Sequence, residues 1–314
     1  MLAKAFPDEF PLIAVASVGV GSDRLGADDD FSQDHCWEPG FQIFSDRLPR
    51  EALKRIEAFL CENLPWEFQG FQRSDCCGGV NTIRAWAIDE FFQTMTSFAW
   101  PPKQDRRWLL ILDEALCLVT NGEVFYDPTG DFTQRREAFG YYPENIWRFK
   151  LAGRAHRIDV KRYQMERCIA HGEEVAANLM LCEGLREVFH FVCLVNRRYA
   201  PYDRWLHWMF RRLPLLAGEV EPLAQGAVET TDIAQKLSLY EQIVTLCADW
   251  VYAHGLAARA ECEHAPSGTL WWMDIRDAVQ GELKDFPERD WIGVEYRYGS
   301  LFALGGDFRK LLGD

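Results

Sequence analysis

The sequence has no excess of basic residues, no long apolar run, no C-x-x-C pair and no repeated or low-complexity segment. Each absence excludes something. With 34 basic against 48 acidic side chains the net charge is −14, so the basic footprint of a duplex nucleic-acid binder is missing. The longest apolar run near the start, residues 11–21, falls well short of the roughly 20 residues that a membrane span needs. It follows Pro7, Asp8 and Glu9 rather than a basic segment, so neither a signal peptide nor a membrane span is expected. Ten cysteines are scattered along the chain, which reads as reduced thiols, mostly core filler, in a cytoplasmic protein. Neither G-x-x-x-x-G-K-S/T nor G-x-G-x-x-G occurs, which sets aside P-loop and Rossmann readings. The histidines form no Ser-His-Asp or Cys-His arrangement.

What is present is ordinary globular composition, 48% hydrophobic and 26% charged over 314 residues, long enough for about two domains. The first hundred residues read as a small α+β unit. Residues 11–20 are a buried-strand pattern ending in glycine, and residues 41–44 are a second short apolar stretch. Residues 48–64 form an amphipathic helix with Leu53, Ile56, Phe59 and Leu60 on one face, and residues 80–87 are a further strand. Trp100-Pro101-Pro102-Lys103 marks the expected boundary, giving domains 1–104 and 105–314. Beyond it, helix-period segments at 106–119, 143–170, 173–195, 202–213, 229–255 and 268–283 predict an antiparallel helical bundle. Pro143, Pro201 and Pro222 are expected at helix starts or in connections.

Charge is unevenly distributed. Residues 1–100 carry 16 acidic and 8 basic side chains, whereas residues 135–212 carry 15 basic and 9 acidic. Lys150, Arg154, Arg157 and Lys161 recur at i, i+4, i+7 and i+11, one face of the helix beginning at Pro143. That face is either solvated surface or a wall that meets phosphates.

The richest stretch runs from Gly19 to Trp37. A buried strand enters Gly21-Ser22, where glycine lets backbone N–H groups approach a phosphate and the serine hydroxyl adds a donor. Eleven residues separate Ser22 from Asp34, which is expected to begin a new strand and to hold Mg²⁺ together with substrate phosphates. The alternative is a solvated turn, with Asp28, Asp29 and Asp30 facing water and Gly26 supplying a positive φ.

The Gly-Ser, spacer, Asp pattern resembles the signature of the DNA polymerase β-like nucleotidyltransferases, the superfamily that includes the aminoglycoside nucleotidyltransferases. The chain resembles more closely a bacterial family known as domain of unknown function 4037. Gly21-Ser22-Asp23-Arg24-Leu25-Gly26, Asp28, Ser32, Asp34-His35 and Trp37 carry that likeness. Phe125-Tyr126-Asp127-Pro128-Thr129-Gly130, Tyr141-Tyr142-Pro143-Glu144 with Trp147, and Arg197-Arg198-Tyr199-Ala200-Pro201-Tyr202 with Trp205 extend it to about residue 213. The resemblance implies a small mixed-sheet nucleotidyltransferase-like domain followed by a helical domain that closes a cleft over a nucleoside triphosphate. Gly21 and Ser22 would hold phosphates, and Asp34 would be the first ligand of Mg²⁺ or Mn²⁺. A hydroxyl of a small-molecule or protein acceptor would attack the α-phosphorus, and no duplex nucleic acid or membrane partner is implied.

The chain departs from this pattern. Cys36 stands where the second metal carboxylate belongs, and a thiolate suits Zn²⁺ better than Mg²⁺. The strand expected near residues 79–86 brings Gly79, Val80, Asn81 and Thr82 but no acid. Three readings follow. Asp34 works with a substitute from Asp28, Asp30 or Glu38; or the protein binds a nucleotide, or acts as a scaffold, without chemistry; or His35, Cys36, Cys76 and Cys77 form a changed, soft-metal site. Farther along, Arg197, Arg198, Tyr202 and Arg204 are candidates for stacking on a base and binding phosphates, beside Tyr199 and Trp205. Aromatic packing at a helix junction is the competing explanation. Glu144 is a candidate general base, or else an acid that stabilises a helix N-terminus.

Overall fold

A computed structural model of the protein describes residues 1–27, 29, 40–72 and 83–258. The chain divides into two compact units, Met1–Lys103 with Ile111–Tyr141, and Gln104–Leu110 with Tyr142–Asp314. The expected single boundary at 104/105 differs from this division. Residues Ile111–Tyr141 return to the first unit because their strand completes its sheet.

That sheet has the order β5-β2-β1-β6. Strand β1 (Ala14–Ser17) lies between β2 (Gln42–Phe44) and β6 (Glu123–Tyr126), antiparallel to both, and β2 runs parallel to the edge strand β5 (Arg84–Trp86). Two strands of two residues each pair apart from it, β3 (Glu67–Phe68) and β4 (Phe71–Gln72), joined by Gln69 and Gly70 at φ 53° and 87°. Those two positive values suit the right-handed twist of a two-residue hairpin.

Alternation along β2 builds two cores. Ile43 packs with Ile13, Ile56, Leu60 and Ile83 beneath α2 (Arg50–Asn63). Phe44 faces the other way and meets Phe91 and Phe132 at ring-centre distances of 5.1 and 4.2 Å. These rings belong to α3 (Ile88–Thr96) and α5 (Asp131–Ala138), and α4 (Asp113–Thr120) packs on α3. The helix expected over 48–64 is α2, with Leu53, Ile56 and Leu60 buried and Phe59 half-buried. It stops because Leu64 precedes Pro65 and is pushed to extended backbone. Glu57 on α2 accepts a hydrogen bond from the Ala85 amide at 2.7 Å, which covers part of the open edge of β5. A short helix α1 (Leu2–Ala5) precedes the sheet.

The second unit is helical. Helix α6 (Glu144–Ala170) runs antiparallel to α7 (Glu174–Val195), and α8 (Asp203–Phe210), α9 (Ala217–Glu229) and α10 (Ile233–Ala253) follow. The α+β class and the helical second half expected from the sequence are the ones adopted. Pro222, expected at a helix start or connection, instead lies inside α9. The segment expected over 268–283 lies outside the described residues.

Tyr240 of α10 is fully buried and donates to the Ile158 carbonyl at 2.9 Å. Gly184 makes this contact possible, since a Cβ there would overlap the tyrosine hydroxyl. The basic stripe on α6 is neither a solvated face nor a phosphate wall. Arg154 and Arg157 both bond Glu187 of α7, at 2.7 and 2.8 Å, and Lys161 pairs with Glu183. Buried Lys150 lies 5.1 Å from the ring centre of Tyr142.

Candidate functional site

In the first unit, the loop after β1 is held from below by the turn that begins β6. The Gly19 amide donates to Asn121 Oδ1 at 2.9 Å, and Asn121 Nδ2 returns a bond to the Gly19 carbonyl at 2.8 Å. The Gly122 amide donates to the Arg24 carbonyl at 2.9 Å. Gly122 has φ 66°, and a Cβ there would overlap the Ser17 carbonyl oxygen, so the close approach requires glycine. Arg136 on α5 donates to the carbonyls of Thr120 and Gly122 at 2.8 and 2.9 Å. Its burial pushes its pKa down.

Gly21 and Ser22 sit at the mouth of this clamp. Gly21 has φ 144°, and Ser22 accepts from the amides of Leu25 and Ala27 through its carbonyl, at 3.0 and 2.8 Å. Gly26 closes the turn in the left-handed region expected of it, at φ 69°. A Cβ at Gly21 would overlap Asp23 Oδ1 and Arg24 Nη1. The Arg24 side chain is 7% exposed, with its Nη1 donating to the Val20 carbonyl and its Nε buried without an acceptor. Asp23 Oδ1 is likewise buried without a donor, 3.6 Å from Arg24 Nη1. A guanidinium and a carboxylate thus crowd the Gly-Ser turn with hydrogen-bonding capacity to spare.

In the second unit, Glu144 opens α6 directly after Pro143. Arg197 bonds both of its oxygens, Nη1 to Oε2 at 2.8 Å and Nη2 to Oε1 at 3.1 Å, and Arg148 Nε reaches Oε1 at 3.3 Å. Hydrogen bonds from Arg197 hold the Glu144 carboxyl below its ordinary range, against an opposing push from burial, with the charges of both arginines adding to the lowering. A carboxylate paired in this way is a weaker base than a free one, and Arg197 must release it before it takes a proton.

Arg197 has φ 53° and caps α7: its amide bonds the Leu194 carbonyl and the Arg198 amide bonds that of Cys193. This is the Schellman arrangement with arginine where glycine is usual. Its guanidinium stacks 3.4 Å from the ring centre of Trp147, whose indole donates to the Leu194 carbonyl at 2.8 Å. The first turn of α6 therefore locks the end of α7. Arg198 and Arg204 are exposed, Tyr202 is half-buried at the start of α8, and Arg204 lies 5.3 Å from the ring centre of Trp205. Tyr199 and Trp205 are buried, Tyr199 edge-on to Tyr142 at 4.9 Å. For these two rings helix-junction packing is what the structure shows.

Of the predicted site residues, Gly21 and Ser22 share the loop after β1, and Glu144 and Arg197 are brought together as an ion pair. Asp34, Asp30 and Glu38 lie outside the described residues, as do Asp28, His35, Cys36, Cys76, Cys77 and residues 79–82. Among the described residues no group of three His, Cys, Asp or Glu side chains could hold a metal ion. Cys117 and Cys247 are buried, which pushes both thiols up to about 12 and makes them unreactive. Sequence reasoning missed Asn121, Gly122, Arg24 and Arg136. The Asn121-Gly122 dipeptide ahead of the alternating run of β6 was a readable turn signal.

The fold and loop define an α+β protein whose sheet presents a clamped Gly-Ser turn and whose second unit is helical. Residues 108–206 match the family described as Domain of unknown function (DUF4037). That stretch holds the Phe125–Gly130, Tyr141–Trp147 and Arg197–Trp205 motifs, so the resemblance to this family is borne out there; the Gly21-Ser22 loop lies before it. A solved structure of a nucleotidyltransferase-like protein from Exiguobacterium sibiricum 255-15 is similar at 10% identity and a TM-score of 0.38, with 90% of each chain covered. No curated protein matches the chain. Among the described residues, no helix is long and apolar enough to cross a membrane.

Proposed function

We propose that the protein is a cytoplasmic, metal-dependent nucleotidyltransferase that moves a nucleoside monophosphate from a triphosphate to a hydroxyl of a small-molecule or protein acceptor. The observation that supports this most is the turn at Gly21-Ser22, fixed by the Gly19–Asn121 amide pair and flanked by Arg24. Backbone held in this way, with a guanidinium against it, suits an anionic phosphate chain. In the proposed reaction the acceptor oxygen bonds the α-phosphorus, the bond from that phosphorus to the bridging α–β oxygen breaks, and pyrophosphate leaves. The hydroxyl proton passes to a base or to water. Gly21 and Ser22 position the phosphates. Asp34, with Asp30 and Glu38, is assigned to Mg²⁺ or Mn²⁺, which when bound supplies charge neutralisation. Arg197, Arg198, Tyr202 and Arg204 are assigned to the nucleotide, and Glu144 to proton transfer once Arg197 lets it go. The acidic net charge favours a small-molecule or protein acceptor over a duplex.

A second reading rests on Cys36, which removes a carboxylate from the metal pattern. In it the protein binds a nucleotide or serves as a scaffold and transfers nothing. Thermal shifts with ATP, CTP, GTP and UTP, each with Mg²⁺, Mn²⁺ or Zn²⁺, separate the two. Saturation at a hundred times Kd adds about 2.7 kcal/mol of stability, easily seen as a rise in Tm. A metal-dependent shift with one nucleotide, lost in Asp34→Asn and weakened in Ser22→Ala, is expected for the enzyme. A shift that needs no metal and survives Asp34→Asn sinks the transfer reading and leaves nucleotide binding. No shift in wild type, with one appearing in Cys36→Asp, points to the scaffold.

A further inference from the structure

The free edge of the sheet in the first unit carries a pocket of about 210 Å³. It lies among α2, β5 and the start of α3, and its chemistry comes from Arg50, Lys54, Glu57, Arg84, Trp86 and Glu90. Both acids are already engaged. Glu57 takes the Ala85 amide, and Glu90 lies 3.5 Å from Arg50. Lys54 and Arg84 have no carboxylate partner among the described residues. This cationic excess stands within the hundred residues that carry 16 acidic and only 8 basic side chains.

A second observation points the same way. Trp86 is 7% exposed, and its indole Nε1–H is buried with no acceptor. Buried donors without partners are rare in native folds. The Arg84 guanidinium stacks over that ring, 3.8 Å from its centre. Two cations with no carboxylate partner among the described residues thus line the same pocket as a tryptophan whose buried N–H has no acceptor. The two cations call for a negatively charged oxygen, and the indole N–H for an oxygen that accepts.

The pocket is separate from the Gly-Ser loop. Because β1 is antiparallel to β2 and β2 parallel to β5, the loop after β1 is at the end of the sheet where β5 begins. Trp86 and Ala87, which line the pocket, are at the other end of β5, and Arg84 at its near end stands on the edge strand, with β2 between it and β1. We infer that this pocket is a binding site for a small ligand carrying an oxyanion group, phosphate or carboxylate. Lys54 and Arg84 supply charge-assisted bonds, and the Trp86 N–H supplies a directional donor once the guanidinium engages the ligand. The inference does not depend on the transfer reaction.

The test uses the full chain labelled with ¹⁵N. The Trp86 indole cross-peak is assigned by its loss in Trp86→Phe and followed while inorganic phosphate or, separately, malonate is added at constant ionic strength. A saturable shift with at least one probe is expected. It should weaken about tenfold or more in Arg84→Gln and in Lys54→Gln, with partial recovery in Arg84→Lys. Both side chains are exposed, so these variants should fold, and the wild-type titration stands without them. Phosphate alone shifting the peak assigns a phosphoryl ligand, and malonate alone a carboxylate. No saturable shift with either probe overturns the inference. So does an equal shift with sodium chloride, or one that the substitutions leave unchanged.

Discussion

In the first unit, the polar groups nearest the proposed chemistry are backbone groups beside strand ends, held one by one: Gly19 by the Asn121 side chain, the Arg24 carbonyl by the Gly122 amide, the Gly122 carbonyl by the Arg136 side chain. In the second unit, ionic side chains pair with one another on and between helices: half-buried Arg154 and Arg157 share buried Glu187, and buried Arg162 bonds Asp159. The first arrangement needs glycines at positive φ, such as Gly19, Gly21, Gly26 and Gly122. The second needs long side chains in register on two helices. The first leaves the Arg24 Nε beside a loop without an acceptor, while in the second these particular charges are taken up by one another. The first kind of contact fixes the shape of a turn, and the second fixes helices against one another.

The largest test of this contrast is Glu187→Gln. Burial pushes the Glu187 carboxyl up, but the charges of Arg154 and Arg157 outweigh it and bring the pKa down to about 2. Removing the negative charge takes the shared carboxylate from two half-buried guanidiniums and leaves a neutral amide in its buried place, and a loss of about 3 kcal/mol is expected in urea unfolding. The pH dependence has a definite sign. The folded value, about 2, lies below the ordinary 4.5, so this stabilisation is complete above about 4.5. It fades as the pH falls from there toward about 2. Wild type should lose stability over that window, and Glu187→Gln should lose less. An identical acid profile in the two proteins would break the comparison from the helical side.

Gly122→Ala tests the backbone side. A left-handed backbone conformation costs an L residue about 1–2 kcal/mol, and the new Cβ also overlaps the Ser17 carbonyl. A total loss of about 2–4 kcal/mol is expected, with faster amide exchange at Gly19. If exchange at Gly19 is unchanged, the clamp does not hold the loop.

The smallest expected effect is at Arg197→Gly. Relief of the left-handed strain, about 1–2 kcal/mol, works against loss of the Trp147 stack and of a largely solvent-exposed pair with Glu144, each about 0.5–1 kcal/mol. The net change should stay within about 1 kcal/mol. Meanwhile the Glu144 carboxyl, followed by NMR titration, should rise toward its ordinary range. A large destabilisation with no change in that titration would show that the arginine acts by packing alone.

Much of the fold was legible where local pattern and burial agree. The apolar face of residues 48–64 became α2, Pro143 fixed the start of α6, and the strand ending in glycine became β1. The region 111–141 was harder to read. β6 is a short strand whose partner, β1, lies about a hundred residues away, and α5, with Arg135 and Arg136, falls between the segments that carried a helical period. Arg135 is in fact buried, bonding Asp89 at 2.6 Å beneath Trp100. At the site, Gly21 and Ser22 were visible because glycine and serine carry their chemistry locally. Arg24, Asn121 and Arg136 were not, because their roles come from meeting across the sheet.

The sequence by itself determined the helices α2, α6, α7, α8 and α10, the glycine turns, the charge and the Gly-Ser loop. Those follow from side-chain period and backbone freedom, which act over a few residues. Only the tertiary structure decided which charges face a partner and which are left open. The stripe of Lys150, Arg154, Arg157 and Lys161 looked available and is taken up within the helical unit. Lys54 and Arg84 looked ordinary and have no carboxylate partner among the described residues at the sheet edge. The physical reason is that a charge is satisfied by whatever lies within a few ångströms of it, and chain order does not set that distance.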